Sequence, residues 1–148
     1  MLDLKRLSKN ELLIQNGWNP EHRVNIRENQ QIFPKAFEII EALDGTTIKN
    51  LHPELGLGED TFVIEFDCFN YDTSITDELE EISSIIAKPV LFIGIGYDII
   101  GDWLVDEEGI IYFRNKIKNR LHPFSLNIYD FLEKNIYKLT DLNGEYIL

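Results

Sequence analysis

Hydrophobic and polar positions are most informative between residues 89 and 115 of this chain. Three apolar runs, Val90–Ile95, Ile99–Asp106 and Ile110–Arg114, follow one another with only short connections. A hairpin turn signal that ends in Gly109 separates the last two runs, and no helix fits between them. The pattern predicts an antiparallel meander and disfavours the parallel sheet of a nucleotide-binding fold.

The remaining pattern predicts helices around this sheet. The segment Ser8–Glu11 fits a capping box with Ser8 as N-cap, and Pro34 opens a second helix with a Phe37, Ile40, Leu43 stripe. Further predicted elements are strands at 46–50 and 61–68 and helices at Thr76–Ala87 and Ser125–Tyr137. Together they predict an α+β fold in one domain, residues 1–148, with a single antiparallel sheet of about four to six strands and helices packed on it.

Strand alternation separates the two faces of the predicted sheet. Trp103 and Val105 lie on one face and are assigned to the core with Ile111 and Phe113. The opposite face carries polar and aromatic residues of types common in interface anchors. The candidate partner-binding residues on or beside it are Glu65, Asp67, Asp98, Asp102, Asp106, Glu107, Glu108, Tyr112 and Arg114. An ordinary solvated sheet face is the alternative. If the face binds a partner, replacing Asp102 and Asp106 by lysine should weaken binding and leave the fold intact.

Composition limits the class of partner. The chain has 14 basic and 26 acidic residues and a net charge of -12. Direct binding to nucleic acid or to an anionic membrane surface is therefore disfavoured, because both need Lys and Arg. A basic protein partner suits the charge, since complementary charge speeds encounter. Plain solubility is the competing explanation for the acidic balance.

Motifs for catalysis are weak. Cys68 is the single cysteine and His22, His52 and His122 lack metal-ligand spacing, so we expect no disulfide, metal or cofactor. The Gly94-Ile-Gly96 stretch lacks a third glycine at the spacing of a phosphate loop. No secretion signal or membrane span is visible, which predicts a cytoplasmic protein. A metal-dependent enzyme built on the carboxylates stays open as a third hypothesis.

Three segments carry a resemblance to a known family. The first is Gly17–Ile26 (GWNPEHRVNI), the second is Pro34–Gly45 (PKAFEIIEALDG), and the third comprises Pro89–Ile95 with the later strand–turn–strand Trp103–Tyr112. In this order and spacing they resemble the SUKH superfamily of bacterial immunity proteins, in particular its third family. The turn Leu43-Asp44-Gly45 departs from the Phe-Gly-Gly that the family commonly has, so the chain resembles a divergent member.

The resemblance implies a fold and a role. It implies a non-catalytic immunity protein of a polymorphic toxin system, which binds and neutralises a cognate toxin, often a nuclease or another nucleic-acid-modifying enzyme. Some members of the superfamily are regulatory interaction modules instead, and that alternative stays open. The family's conserved positions imply structural roles here for Gly17, Trp18, Arg23, Pro34, Gly45, Gly94 and Trp103. The toxin and the oligomeric state do not follow from the sequence.

Overall fold

Three of the described helices precede the first strand, and the other two lie between strands of a meander. A computed structural model describes residues 2–24, 32–50, 62–66, 74–96, 101–133 and 146–147. The helices within these residues are α1 (Leu4–Ser8), α2 (Glu11–Gln15), α3 (Pro34–Leu43), α4 (Ser74–Ile86) and α5 (Ile128–Glu133). The strands are β1 (Thr47–Asn50), β2 (Phe62–Phe66), β3 (Val90–Gly96), β4 (Gly101–Asp106), β5 (Ile111–Asn115), β6 (Arg120–Ser125) and β7 (Tyr146–Ile147).

The strands form one antiparallel sheet in the order β1-β2-β3-β4-β5-β6-β7, so each strand pairs with its neighbour in the chain. The predicted α+β class and single antiparallel sheet are confirmed. The described residues contain seven strands rather than the four to six expected. The additional strands are β6 and β7, which extend the meander beyond the third predicted run.

The larger hydrophobic cluster lies between one sheet face and helices α1, α2, α3 and α5. Its centre is Trp103, which is fully buried, with ring centroids 4.8 Å from Phe113, 5.0 Å from Phe124 and 4.7 Å from Phe131. Tilted and edge-to-face arrangements of this kind are favourable for aromatic pairs. The packing leaves no room at Gly101, where an added Cβ would lie 2.5 Å from the Phe113 ring.

A second hydrophobic cluster lies on the opposite face of the sheet, beneath α4. Ile82 and Ile86 of α4 are buried in it. The sheet contributes the side chains Val90, Phe92, Leu104, Tyr112 and Leu121. Both faces of the central strands are therefore covered, which explains why β3 is apolar at successive positions.

Two predicted structural positions lie at the end of α2. Gly17 has a φ of +82°, the left-handed conformation that glycine tolerates best, and it ends this helix. The following Trp18 is buried, and its indole N–H donates a hydrogen bond of 2.7 Å to the carbonyl of Ala42 on α3. The tryptophan therefore links the turn after α2 to α3.

Other predicted structural positions join α3 to the sheet. Pro34 is the first residue of α3, as predicted. Gly45 has a φ of +82° after the helix, and its amide donates to the Phe66 carbonyl at 2.7 Å. Gly94 is buried in β3 beside a register shift, opposite Phe66 and Trp103.

Some predicted boundaries were wrong. Ser8 is the last residue of α1, and the N-cap of α2 is Asn10, whose side chain accepts from the Leu13 amide. The last helix begins at Ile128, because Ser125 belongs to β6, and residues 134–137 of that prediction lie outside the described residues.

Candidate functional site

The predicted docking face lies beneath α4 and is not a free surface. The alternation was correct, since Asp102, Asp106, Tyr112 and Arg114 lie opposite the Trp103 face. However, Asp102 is only 4% exposed, Asp106 0% and Tyr112 4%. The expectation that these residues face a partner directly is therefore wrong, because the face that they occupy is covered by a helix.

Asp106 organises the turn between β4 and β5. One carboxylate oxygen, Oδ1, accepts from the amides of Glu108 (2.9 Å) and Ile110 (3.0 Å). The other, Oδ2, accepts from the hydroxyl of Tyr112 at 2.8 Å, and the Lys88 ammonium lies 3.9 Å away. Burial, and next the hydrogen bond to Asp106, raises the pKa of Tyr112, so the phenol stays a donor. The buried carboxylate is thus satisfied internally.

Two ion pairs lie at the other end of the covered face. The Lys116 ammonium lies 3.3 Å from Oδ2 of Asp102. Burial raises the pKa of this aspartate, and the effect of burial exceeds the lowering of the pKa by Lys116. Arg114 pairs with Glu78 of α4, and the arginine side chain is 14% exposed. The second pair joins the helix to β5, so Arg114 holds α4 on the sheet.

Glu107 and Glu108 are the predicted site residues that do face solvent. They occupy the β4–β5 turn next to the connection that follows α4. The Lys88 ammonium donates to Glu108 at 2.8 Å, and this bond raises the pKa of Lys88. The turn is thereby linked to the C-terminal end of α4.

The outer side of α4 carries carboxylates that the sequence analysis did not assign to a site. Asp77, Glu80 and Glu81 are exposed, and α4 contains no basic residue. None of the ion pairs made by the described residues involves Glu80 or Glu81. The apolar stripe of this helix could have located them, since it sets which side faces outwards. Glu80 lies beside the connection that follows α4, as the β4–β5 turn does. We name Glu80, Glu107 and Glu108 the acidic surface.

The remaining candidates lie apart from the acidic surface or outside the described residues. Glu65 is half-buried in β2, in register with Ile95 of β3. Asp67 and Asp98 lie outside the described residues. Arg23 is exposed, and its guanidinium donates to the carbonyl of His22 at 2.6 Å, a local backbone contact.

The acidic surface can attract cations but is not arranged to hold a metal ion. Within the described residues, no group of three or more His, Cys, Asp or Glu side chains could ligate one. His22 contacts a backbone carbonyl, that of Asp44, at 2.9 Å through Nε2. Exposed carboxylates of this kind suit ion pairs with a basic protein surface.

Comparisons with known protein families, with curated proteins and with solved structures find no match for this chain. Among the helices in the described parts of the chain, none has the length and apolar character needed to cross a membrane.

Proposed function

We propose that this chain is a non-catalytic immunity protein that binds and neutralises a cognate bacterial toxin, a basic nuclease or another enzyme that modifies nucleic acid. The observation that carries the proposal is the acidic surface. It presents three exposed carboxylates on α4 and the adjoining turn, and the neighbouring cation, Lys88, is already held by Glu108. Such a surface repels nucleic acid. It attracts the basic side chains with which a nuclease binds nucleic acid.

The resemblance to the SUKH superfamily supports the same role. The three segments that carry it include the turn after α2, the helix α3 and the β3–β5 meander, and Trp18 joins that turn to the end of α3 at Ala42. These segments contribute buried residues to the larger cluster. The parts of the chain that resemble the family therefore build the scaffold and include the β4–β5 turn with Glu107 and Glu108, whereas Glu80 lies outside them on α4.

Co-expression tests the proposal. The probe is the product of the gene immediately upstream of this chain's gene, expressed in a bacterial host with and without the chain. We expect the neighbour to stop growth and this chain to restore it. A neighbour that is harmless, or toxicity that the chain does not relieve, would refute the proposal. An affinity pull-down that recovers a housekeeping regulator instead of a toxin would favour the alternative function, a regulatory interaction module.

Charge reversal then tests the surface. Glu107→Lys with Glu108→Lys should weaken the complex with an inactive form of the toxin by about tenfold at low salt. A matched pair on α2 and the turn after it, Glu11→Lys with Glu21→Lys, makes the same change in net charge at exposed positions elsewhere. If both pairs weaken binding equally, net charge alone acts and the acidic surface is not the interface.

A further inference from the structure

A shallow groove runs beside α4 where this helix connects to β3. Its volume is about 690 Å³, and it is wide open to solvent. Apolar residues make up much of its lining, namely Leu79 of α4, Ala87 and Pro89 of the connection, and Val90 and Leu91 of β3. The groove is open along its length, so it suits an extended or helical segment rather than a small molecule.

The sequence of α4 explains why the groove forms on this side. Ile82 and Ile86 point into the second hydrophobic cluster and fix the rotation of the helix. With 3.6 residues per turn, Ser83 then lies on the flank of α4, beside the start of β3, and Ala87 follows directly after the helix. These two side chains are small, so they leave a hollow between the helix and the strand.

Charge at the groove favours a cationic occupant. Glu80 lines it and is exposed, with no ion pair among the described residues. Among the described residues that line it, the basic one is Lys88, whose ammonium contacts Glu108 at 2.8 Å and lies 3.9 Å from Asp106. The lysine charge is therefore compensated inside the chain, and Glu80 sets the sign of the potential over the groove.

We propose that this groove receives a basic amphipathic segment of the partner toxin, whose apolar side chains enter the hollow while a Lys or Arg pairs with Glu80. The proposal rests on the function proposed above and adds where the partner binds and what it presents. Helix-in-groove and strand-in-groove recognition both use apolar anchors with a charged rim. A second copy of this chain is disfavoured, because each copy carries a net charge of -12.

Two neighbouring charge reversals separate the groove from the rest of α4. Glu80→Lys changes the groove wall, whereas Glu81→Lys makes the same change about 100° further around the helix. Both residues are exposed and lie in one turn, so their effects on helix stability and on net charge are matched. Far-ultraviolet circular dichroism verifies that both variants fold.

The first probe is a synthetic peptide about four helical turns long, with leucine at i, i+3, i+4 spacing and lysine elsewhere. Titration into the full chain should shift the amide resonances of Ser83, Ser84 and Leu91. Glu80→Lys should weaken binding by about tenfold, and Glu81→Lys by less than about threefold. The same peptide with glutamate in place of lysine should not bind. Equal losses in the two variants, or resonance shifts confined to other surfaces, would overturn the proposal.

The second probe is the upstream toxin in the growth assay. Glu80→Lys should reduce protection while Glu81→Lys retains it. If wild type and Glu80→Lys protect equally, the groove is not the toxin site although the proposed function stands. If wild type gives no protection, the proposed function fails, and with it the assignment of the groove to a toxin.

Discussion

Removing the carboxylate of Asp106 tests whether this residue organises the β4–β5 turn or belongs to a partner-binding surface. It is fully buried and accepts hydrogen bonds from the amides of Glu108 and Ile110 and from the hydroxyl of Tyr112. Asp106→Ala deletes all three acceptor contacts at once. We therefore expect a loss of stability, with any loss of partner binding following from unfolding.

The size of the loss follows from the donors left behind. An unsatisfied buried donor costs about 1–3 kcal/mol. Because Glu108 is exposed, its amide can bond to water, so we expect Asp106→Ala to lower the free energy of unfolding by about 3–5 kcal/mol. Asp106→Asn keeps an oxygen for both amides and can donate to the Tyr112 hydroxyl, so it should cost only about 1–2 kcal/mol.

Urea denaturation followed by tryptophan fluorescence measures these values. Tyr112→Phe, alone and combined with Asp106→Ala, completes a double-mutant cycle, and the two changes should be less than additive because each removes the same Tyr112–Asp106 hydrogen bond. An Asp106→Ala variant that unfolds at the wild-type urea midpoint with an unchanged slope would refute this role. The structure also reverses the sequence-based expectation for lysine at this position, since Asp106→Lys would bury an uncompensated charge.

Three further substitutions probe the core and the covered sheet face. Trp18→Ala should cost about 3–5 kcal/mol in urea denaturation, since the ring is only 6% exposed, and an unchanged midpoint would contradict its burial. Gly101→Ala should cost about 1–3 kcal/mol, because the added methyl meets the backbone carbonyl of Arg114 and the Phe113 ring, and a neutral result would mean that β4 can shift. Folding raises the pKa of Asp102. The contribution of this residue to the free energy of unfolding is therefore complete below the usual aspartate pKa, and it is lost as the pH rises through the raised pKa. Asp102→Asn should therefore gain stability relative to wild type from about pH 4 upward, and parallel pH profiles would contradict this.

Alternation predicted which residues share a sheet face but not what covers that face. A period of two in β4 and β5 placed Trp103 and Phe113 opposite Asp102 and Tyr112, and the register confirms it. Covering the second face depends on α4, which precedes β4 in the chain and contacts it only through tertiary packing. A local pattern carries no information about that contact. The position of Asp106 directly before a turn gave one usable signal, since aspartate there commonly bonds to turn amides.

The strand β6 shows a different limit. Pro123 argues against a strand, because proline lacks the amide that a ladder needs. In the structure β6 pairs with β5 along its length, but β7 pairs only with Arg120 and Leu121. Within the described residues, Pro123 therefore lies beyond the paired part of that edge. The register shift at Ile111 and Tyr112 accommodates the strand. Strand propensities of single residues predict neither this register shift nor the short pairing of β7.

The two sides of α4 divide stability and recognition between different residues of one helix. Ile82 and Ile86 attach the helix to the sheet, whereas Glu80, Glu81 and Ser84 face outwards. Substitutions at outward positions away from caps and pairs usually change stability by about 0.5 kcal/mol or less. A lineage could therefore exchange the outer residues and follow a changing partner without rebuilding the fold beneath them.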